Sequence, residues 1–177
     1  MFARTDRLLL RPGWVEDAPA LTEAFAREDV VLKLATAPWP YAIDDAVAYL
    51  GRERRAGEAD LLIFQRTMGA PRLIGGIGLA NRDGHLELGY WIVPSHWGLG
   101  FATEAGHAVT AMARETLRLD RVVSGHFVDN PASGRVLAKL GFAQTGREMR
   151  KSSARGHDVA CVTMALELQP MAQSCCR

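Results

Sequence analysis

One stretch near the middle of the chain, Leu86 to Ala105 (LELGYWIVPSHWGLGFATEA), constrains the fold most. An apolar run ends at Pro94, a turn holding Gly98 and Gly100 follows, and a helical pattern begins near Ala102 or Thr103. The order is strand, glycine turn, helix. Two residues without a Cβ let a ligand approach the backbone, and the free N–H groups of the first helical turn then point at it. Helix dipole and backbone donors together make an anion cradle. Glycines between a strand and a helix also serve the turn alone, and spacing does not separate the two readings. It does exclude named phosphate motifs. Gly98 and Gly100 are followed by Phe101, Ala102 and Thr103, so a dinucleotide G-x-G-x-x-G fails. Gly76-x-Gly78 runs into a strand, and no Gly-Lys-Ser/Thr occurs anywhere.

The flanks supply the layers. Arg4 to Arg11 reads as an opening strand, stopped by Pro12-Gly13. Helical spacing spans Glu16 to Glu28, a short helix runs from Asp29 to Leu34, and a third starts at Asp44 or Asp45. Leu61 to Arg66, Arg72 to Leu79 and His85 to Val93 read as three consecutive antiparallel strands, with Asp83-Gly84 as a hairpin turn. The helix after the glycine turn shares one face among Ala105, Val109, Met112, Ala113, Thr116 and Leu117. Arg121 to Phe127 is a strand, Asn130 to Leu140 a helix stopped by Gly141, and Phe142 to Glu148 and Asp158 to Leu168 are closing strands. This order predicts an α/β (α+β) architecture, a mixed sheet of about seven strands flanked by helices. A single domain over 1–170 is expected, with 171–177 a flexible tail.

Charge and cysteines narrow the chemistry. The formal charge is +1, acidic before residue 110 and basic after it. That balance gives no field to gather nucleic acid and no polybasic membrane anchor. The basic C-terminal half is an ordinary polar surface or a home for an anionic ligand. Cys161, Cys175 and Cys176 form no disulfide framework, and no paired Cys/His spacing suggests a metal. Arg4, Asp6 and Arg7 interrupt the apolar start, so no signal peptide is read there, and a cytoplasmic location is expected.

The linked motifs Glu87-Leu88-Gly89-Tyr90-Trp91, Pro94-x-x-Trp97-Gly98-x-Gly100-Phe101-Ala102-Thr103-Glu104-Ala105 and Asn130-x-x-Ser133…Lys139-Leu140-Gly141-Phe142 resemble the GCN5-related N-acetyltransferases. Within that superfamily they resemble the branch acting on the N-terminal alanine or serine of ribosomal proteins. The strand-opening TDRLLLRP and Trp39-Pro40-Tyr41 fit the same branch, so the likeness spans about residues 4 to 168.

The resemblance implies a splayed mixed sheet with acetyl-CoA wedged between the strand ending at Val93 and the strand starting at Arg121. The backbone of Trp97, Gly98, Leu99, Gly100, Phe101, Ala102 and Thr103 would hold the diphosphate. Ile92 and Val93 would meet the pantetheine arm and the thioester, and Asn130 would hydrogen-bond the pantetheine. Many superfamily members carry a Tyr acid in the following helix. Leu137 stands there, so Ser133 inherits any contact with the departing sulfur. Glu87 is the candidate base, because an amine attacks only when neutral. A solvent-facing strand carboxylate and a helix-capping hydroxyl are the plain alternatives for Glu87 and Ser133.

The expected activity is acetyl transfer from acetyl-CoA to a primary amine of a small molecule, peptide or protein, without a metal, nucleic acid or membrane. A silent CoA-binding sensor and an enzyme using another acyl donor, such as succinyl-CoA, are the rivals. A homodimer is possible. Arg147, Arg150, Lys151 and Arg155 read as the charge run of a solvated hairpin, or alternatively as a surface that meets an acidic acceptor or partner.

Overall fold

The structure, a computed structural model, describes residues 2–55 and 57–168. Its first departure from the sequence reading is at the start. Residues 4 to 11 are not one strand. Ala3–Arg4 (β1) and Leu8–Pro12 (β2) lie antiparallel, Ala3 opposite Leu10. Thr5 makes the turn: its N–H donates to the Leu8 carbonyl, and its Oγ1 accepts the Leu8 N–H, both at 3.0 Å. A hydroxyl that satisfies backbone in this way leaves no trace in hydrophobic period.

Next come α1 (Ala18–Phe25), α2 (Glu28–Val31) and α3 (Ile43–Gly51). The first is shorter than its pattern, because a 3-10 turn occupies Val15–Asp17 and Arg27 is extended. A meander follows, of β3 (Ala59–Gln65), β4 (Arg72–Arg82) and β5 (His85–Ile92). Asp83 and Gly84 turn between the last two with φ of 50° and 83°, the twin left-handed residues that a two-residue hairpin requires. The chain closes with α4 (Phe101–Glu115), β6 (Arg121–Phe127), α5 (Pro131–Lys139), β7 (Ala143–Lys151) and β8 (Asp158–Glu167).

The eight strands form one mixed sheet in the order β1-β2-β3-β4-β5-β6-β8-β7. Its one parallel junction, β5 with β6, positions the site. Among the described residues these strands are in register only at Glu87 opposite Val123 and Leu88 opposite Ser124. The Ser124 hydroxyl donates to the Leu88 carbonyl at 2.8 Å, and beyond that tie the strands part.

Helices cover both faces. Leu61 and Ile63 of β3 pack with Leu88 and Ile92 against Phe101, Ala105 and Val109 of α4 and Leu137 of α5. The intervening Leu62 and Phe64 pack with Leu21, Phe25, Ala46 and Leu50 of α1 and α3. A strand buried on both faces explains the unbroken apolar run Leu61 to Phe64. Burying such a side chain fully contributes about 1.5–3 kcal/mol, so the two layers hold the sheet while its edge at β5 stays open. Among the described residues no helix is long and apolar enough to cross a membrane. The expected tail, 171–177, lies outside the described residues.

Candidate active site

The glycine turn follows a short 3-10 turn at Pro94–His96. Gly98 and Gly100 have φ of 75° and 82°, left-handed values that L side chains rarely adopt. A Cβ built on Gly98 meets no heavy atom within 4 Å among the described residues. Gly100 caps α4, and the first helical bond runs from Glu104 N–H to the Gly100 carbonyl at 3.0 Å. The N–H groups of Phe101, Ala102 and Thr103 therefore stay outside the helix ladder. These donors have no partner within the helix.

Side chains far away in sequence brace the turn. The Glu104 carboxylate accepts from the Thr5 hydroxyl (2.5 Å), the Arg7 backbone N–H (3.0 Å) and Arg7 Nε (2.7 Å). Arg7 Nη1 also donates to the Leu99 carbonyl at 3.1 Å, and its guanidinium lies 4.3 Å over the Phe101 ring. Burial alone would raise the Glu104 carboxyl, but the Thr5 and Arg7 bonds outweigh it and hold it below its ordinary value. A groove of about 530 Å³ runs along this end, lined by Arg7, Gly100, Thr103, His107 and Lys139 among others. Asp6 and Glu104 also line it, and Arg7 is paired with Glu104, so Lys139 is its cation without a carboxylate partner among the described residues.

At the gap, peptide direction decides what is free. The Ser124 bond shows that the Leu88 carbonyl points toward β6. Alternation along the strand gives Tyr90 and Ile92 the same direction. Val93 N–H instead donates to the Ile74 carbonyl at 2.8 Å, so of the two residues expected to meet the pantetheine arm, Ile92 faces the gap. Trp97 Nε1 donates to the Ile92 carbonyl at 2.6 Å and pins the loop to the strand end, with Lys33 Nζ 3.7 Å over the indole. Asn130 is the N-cap of α5; its Oδ1 accepts Ser133 N–H at 3.4 Å, which leaves its amide N–H donors for another partner.

Glu87 and Ser133 stand on opposite sides of β5. Tyr90 shares the α4–α5 face with Leu88 and Ile92, and its Oη lies 2.7 Å from Ser133 Oγ. Glu87, Gly89 and Trp91 take the other face, where Trp91 packs against Phe25 with centroids 4.6 Å apart and ring planes tilted by 49°. A Cβ on Gly76 would meet Trp91 Nε1 at 2.5 Å, so that glycine exists to let the indole lie on the sheet. Gly89 is exposed, and a Cβ there meets no heavy atom within 4 Å among the described residues. The sheet is open at that point on the α1–α3 side.

The hairpin is not a solvated charge run. Arg147 and Lys151 face water, but Arg150 turns inward with its side chain 10% exposed. Its Nη1 bonds Glu87 Oε1 at 2.5 Å, and its Nη2 bonds Glu148 Oε1 at 2.7 Å. Arg82 completes the network, 3.6 Å from Glu87 Oε2 and 3.1 Å from Glu148. Both Glu87 oxygens are thus engaged by guanidinium groups. Arg155 is committed as well: Nε and Nη2 hold the Leu32 carbonyl at 2.9 and 2.7 Å, and Nη1 holds Asp129 at 2.6 Å. With Ser153 N–H on the Ala35 carbonyl at 2.8 Å, the β7–β8 turn becomes a strap over the α1–α3 side. Alternation in β7 (Gly146, Glu148 and Arg150 inward) was the available signal for Arg150. No local pattern announces Arg7 or Arg155.

Comparison with known proteins agrees with this geometry. Residues 7–143 match the acetyltransferase (GNAT) domain family, and the chain belongs to that family. It is 32% identical over 150 residues to the uncharacterized N-acetyltransferase YoaA of Bacillus subtilis (strain 168), spanning 80% of this chain and 82% of that one. The fold is shared with the ribosomal-protein-S5-alanine acetyltransferase of Vibrio fischeri (TM-score 0.80, 15% identity, 96% and 97% of the two chains). It is shared too with the spermidine N-acetyltransferase of Vibrio cholerae, solved with CoA and spermine (TM-score 0.78, 17% identity, 93% and 97%). The chain is an N-acetyltransferase, and its chemistry is acetyl transfer to an amine.

Proposed function

We propose that the donor is acetyl-CoA and that a primary amine of a small molecule, peptide or protein attacks it directly in a ternary complex. The parting of β5 from β6 after Leu88, beside the left-handed Gly98–Gly100 turn, carries this reading. A pantetheine chain extends the sheet where β6 leaves it, hydrogen-bonding Tyr90 and Ile92 backbone, while the α4 N-terminus takes the diphosphate. Asn130 amide donors and the groove beside Lys139 complete the fit.

The amine enters on the opposite face, over Gly89. An α-amine with an ordinary pKa of about 8 is mostly protonated at neutral pH and must lose a proton before attack. Glu87, two residues away on the same face, receives it, directly or through water, at Oε2, which Arg82 approaches only to 3.6 Å, while Arg150 on Oε1 is the counter-charge. A gap-facing N–H at the end of β5 stabilises the oxyanion, and Ser133 donates to the leaving sulfur. The α-amine of a ribosomal-type protein N-terminus is the finer reading, supported by the motif resemblance and by the Vibrio fischeri neighbour; the spermidine enzyme supports a polyamine. A panel of Ala- and Ser-initiated ribosomal N-terminal peptides, spermidine and free amino acids, read by CoA thiol release, tests the assignment. Turnover concentrated on the peptides supports it. Turnover confined to polyamines or amino acids moves the acceptor, and none on any amine argues for a coenzyme-binding module.

A further inference from the structure

Tyr90 reaches from β5 to the first turn of α5. It leaves β5 on the α4–α5 face, where its neighbours Leu88 and Ile92 are buried hydrocarbon. A phenol on such a face needs a hydrogen-bond partner. It finds Ser133 twice: Oη lies 2.7 Å from the Ser133 hydroxyl and 3.0 Å from the Ser133 carbonyl. A phenol has one hydrogen and a serine hydroxyl has one, so the pair has two arrangements. In one, Tyr90 donates to the Ser133 carbonyl and the serine hydrogen is spent on Tyr90. In the other, Tyr90 donates to Ser133 Oγ, and the serine hydrogen is free to point elsewhere.

The geometry points to Tyr90 as a positioning residue that switches Ser133 into the donor arrangement when negative charge develops on the coenzyme sulfur. The inference rests on the proposed contact between Ser133 and that sulfur and deepens it. No bond to carbon changes at Tyr90. Its proton stays on the phenol, shifting its hydrogen bond from the Ser133 carbonyl to Ser133 Oγ, while Ser133 O–H turns from the phenol to the sulfur. Burial pushes the Tyr90 phenol up to about 12 against the opposing Ser133 bond, so it keeps its proton and stays a donor. Without the phenol hydroxyl, Ser133 Oγ is free to turn back to a carbonyl of its own helix turn, as exposed serines do. Asn130 holds the same turn through Ser133 N–H, so backbone and side chain of Ser133 are fixed by separate partners.

Affinities for coenzyme A and desulfo-coenzyme A at pH 8.5 test this without an acceptor. Their ratio isolates the sulfur contact, since every other group is common to both ligands. Wild type should favour coenzyme A by about tenfold, the size of a hydrogen bond to a charged group. Ser133→Ala should lose most of that ratio, Tyr90→Phe should lose as much, and the double variant should lose no more. A purely packing role for Tyr90 would weaken both ligands together and leave the ratio intact, which overturns the inference while the Ser133 contact stands. Loss in Tyr90→Phe but not in Ser133→Ala, or additive losses, would mean that the phenol acts independently of Ser133 and equally overturns it. A wild-type ratio near one would remove the Ser133 contact itself and the inference with it. Melting curves establish that each variant is folded.

Discussion

On the α4–α5 side of β5 the groups without a partner belong mostly to the backbone, whereas on the α1–α3 side charged side chains already hold one another. Gly98, Gly100 and the first turn of α4 form their cradle because backbone dihedrals leave them little choice. Across the strand, Arg82, Glu87, Glu148 and Arg150 come from three strands and meet only once the sheet has assembled. The first region is set by local conformation and suits a ligand part that never varies. The second is set by long-range packing, and under the proposed function it is the side that the acceptor meets.

Breaking the ion network should have the largest effect on stability. Arg150→Met leaves Glu87 and Glu148 with the more exposed Arg82 as their counter-charge, and unfolding free energy should fall by about 2–3 kcal/mol in urea melts. Acetyl-CoA affinity of the folded protein should barely change if the two regions are independent. An equal loss of affinity would show that they are one.

Glu87→Gln sharpens the same contrast kinetically. If the carboxylate receives the amine proton, kcat/KM should fall by about 10–10³-fold near neutral pH. The loss should shrink as pH rises toward the amine's own pKa, where deprotonated amine is already abundant. A loss independent of pH would make Glu87 a holder of Arg150 rather than a base.

Arg155→Met should be milder. Removing its bonds to Leu32 and Asp129 frees the strap, costing about 1–2 kcal/mol of stability. KM for the acceptor should rise severalfold, and that for acetyl-CoA should change less.

The smallest effect is with acid. Glu104 sits below its ordinary value because the Thr5 and Arg7 bonds outweigh burial, and Asp129 does so chiefly through its bond to Arg155. A carboxyl depressed in the folded state adds stability that is full above its unfolded pKa, near 4, and is lost as pH falls through the folded one. The melting temperature should therefore decline below about pH 4.5, less steeply in Glu104→Gln.

This division also sets what was legible in the sequence. The strand-turn-helix of 86–105 and the Asp83-Gly84 hairpin follow from glycine and turn chemistry acting within a few residues, and the structure has both; the helix expected from Asn130 instead has Asn130 as its cap, not Ser133. The doubled-back start at Thr5 escaped because a side-chain oxygen, not a hydrophobic period, makes that turn. Arg7 reaches Glu104 across 97 positions, and Arg155 reaches Leu32 across 123. Pairings of that span are products of the fold. Tyr90 was legible only as part of the motif at 87–91; its partner Ser133 lies 43 positions away and nothing local named it.

Calorimetric titration of acetyl-CoA into the wild type, Gly98→Ala and Gly100→Val tests the backbone cradle most directly, with melting curves confirming that each variant is folded. The account predicts saturable wild-type binding, with stabilisation of about 2.7 kcal/mol at 100 times the dissociation constant. Gly98→Ala should bind weakly and Gly100→Val not at all, since neither side chain accepts a left-handed φ. Absence of wild-type binding at millimolar acetyl-CoA, or wild-type affinity in a folded Gly100→Val protein, would contradict it.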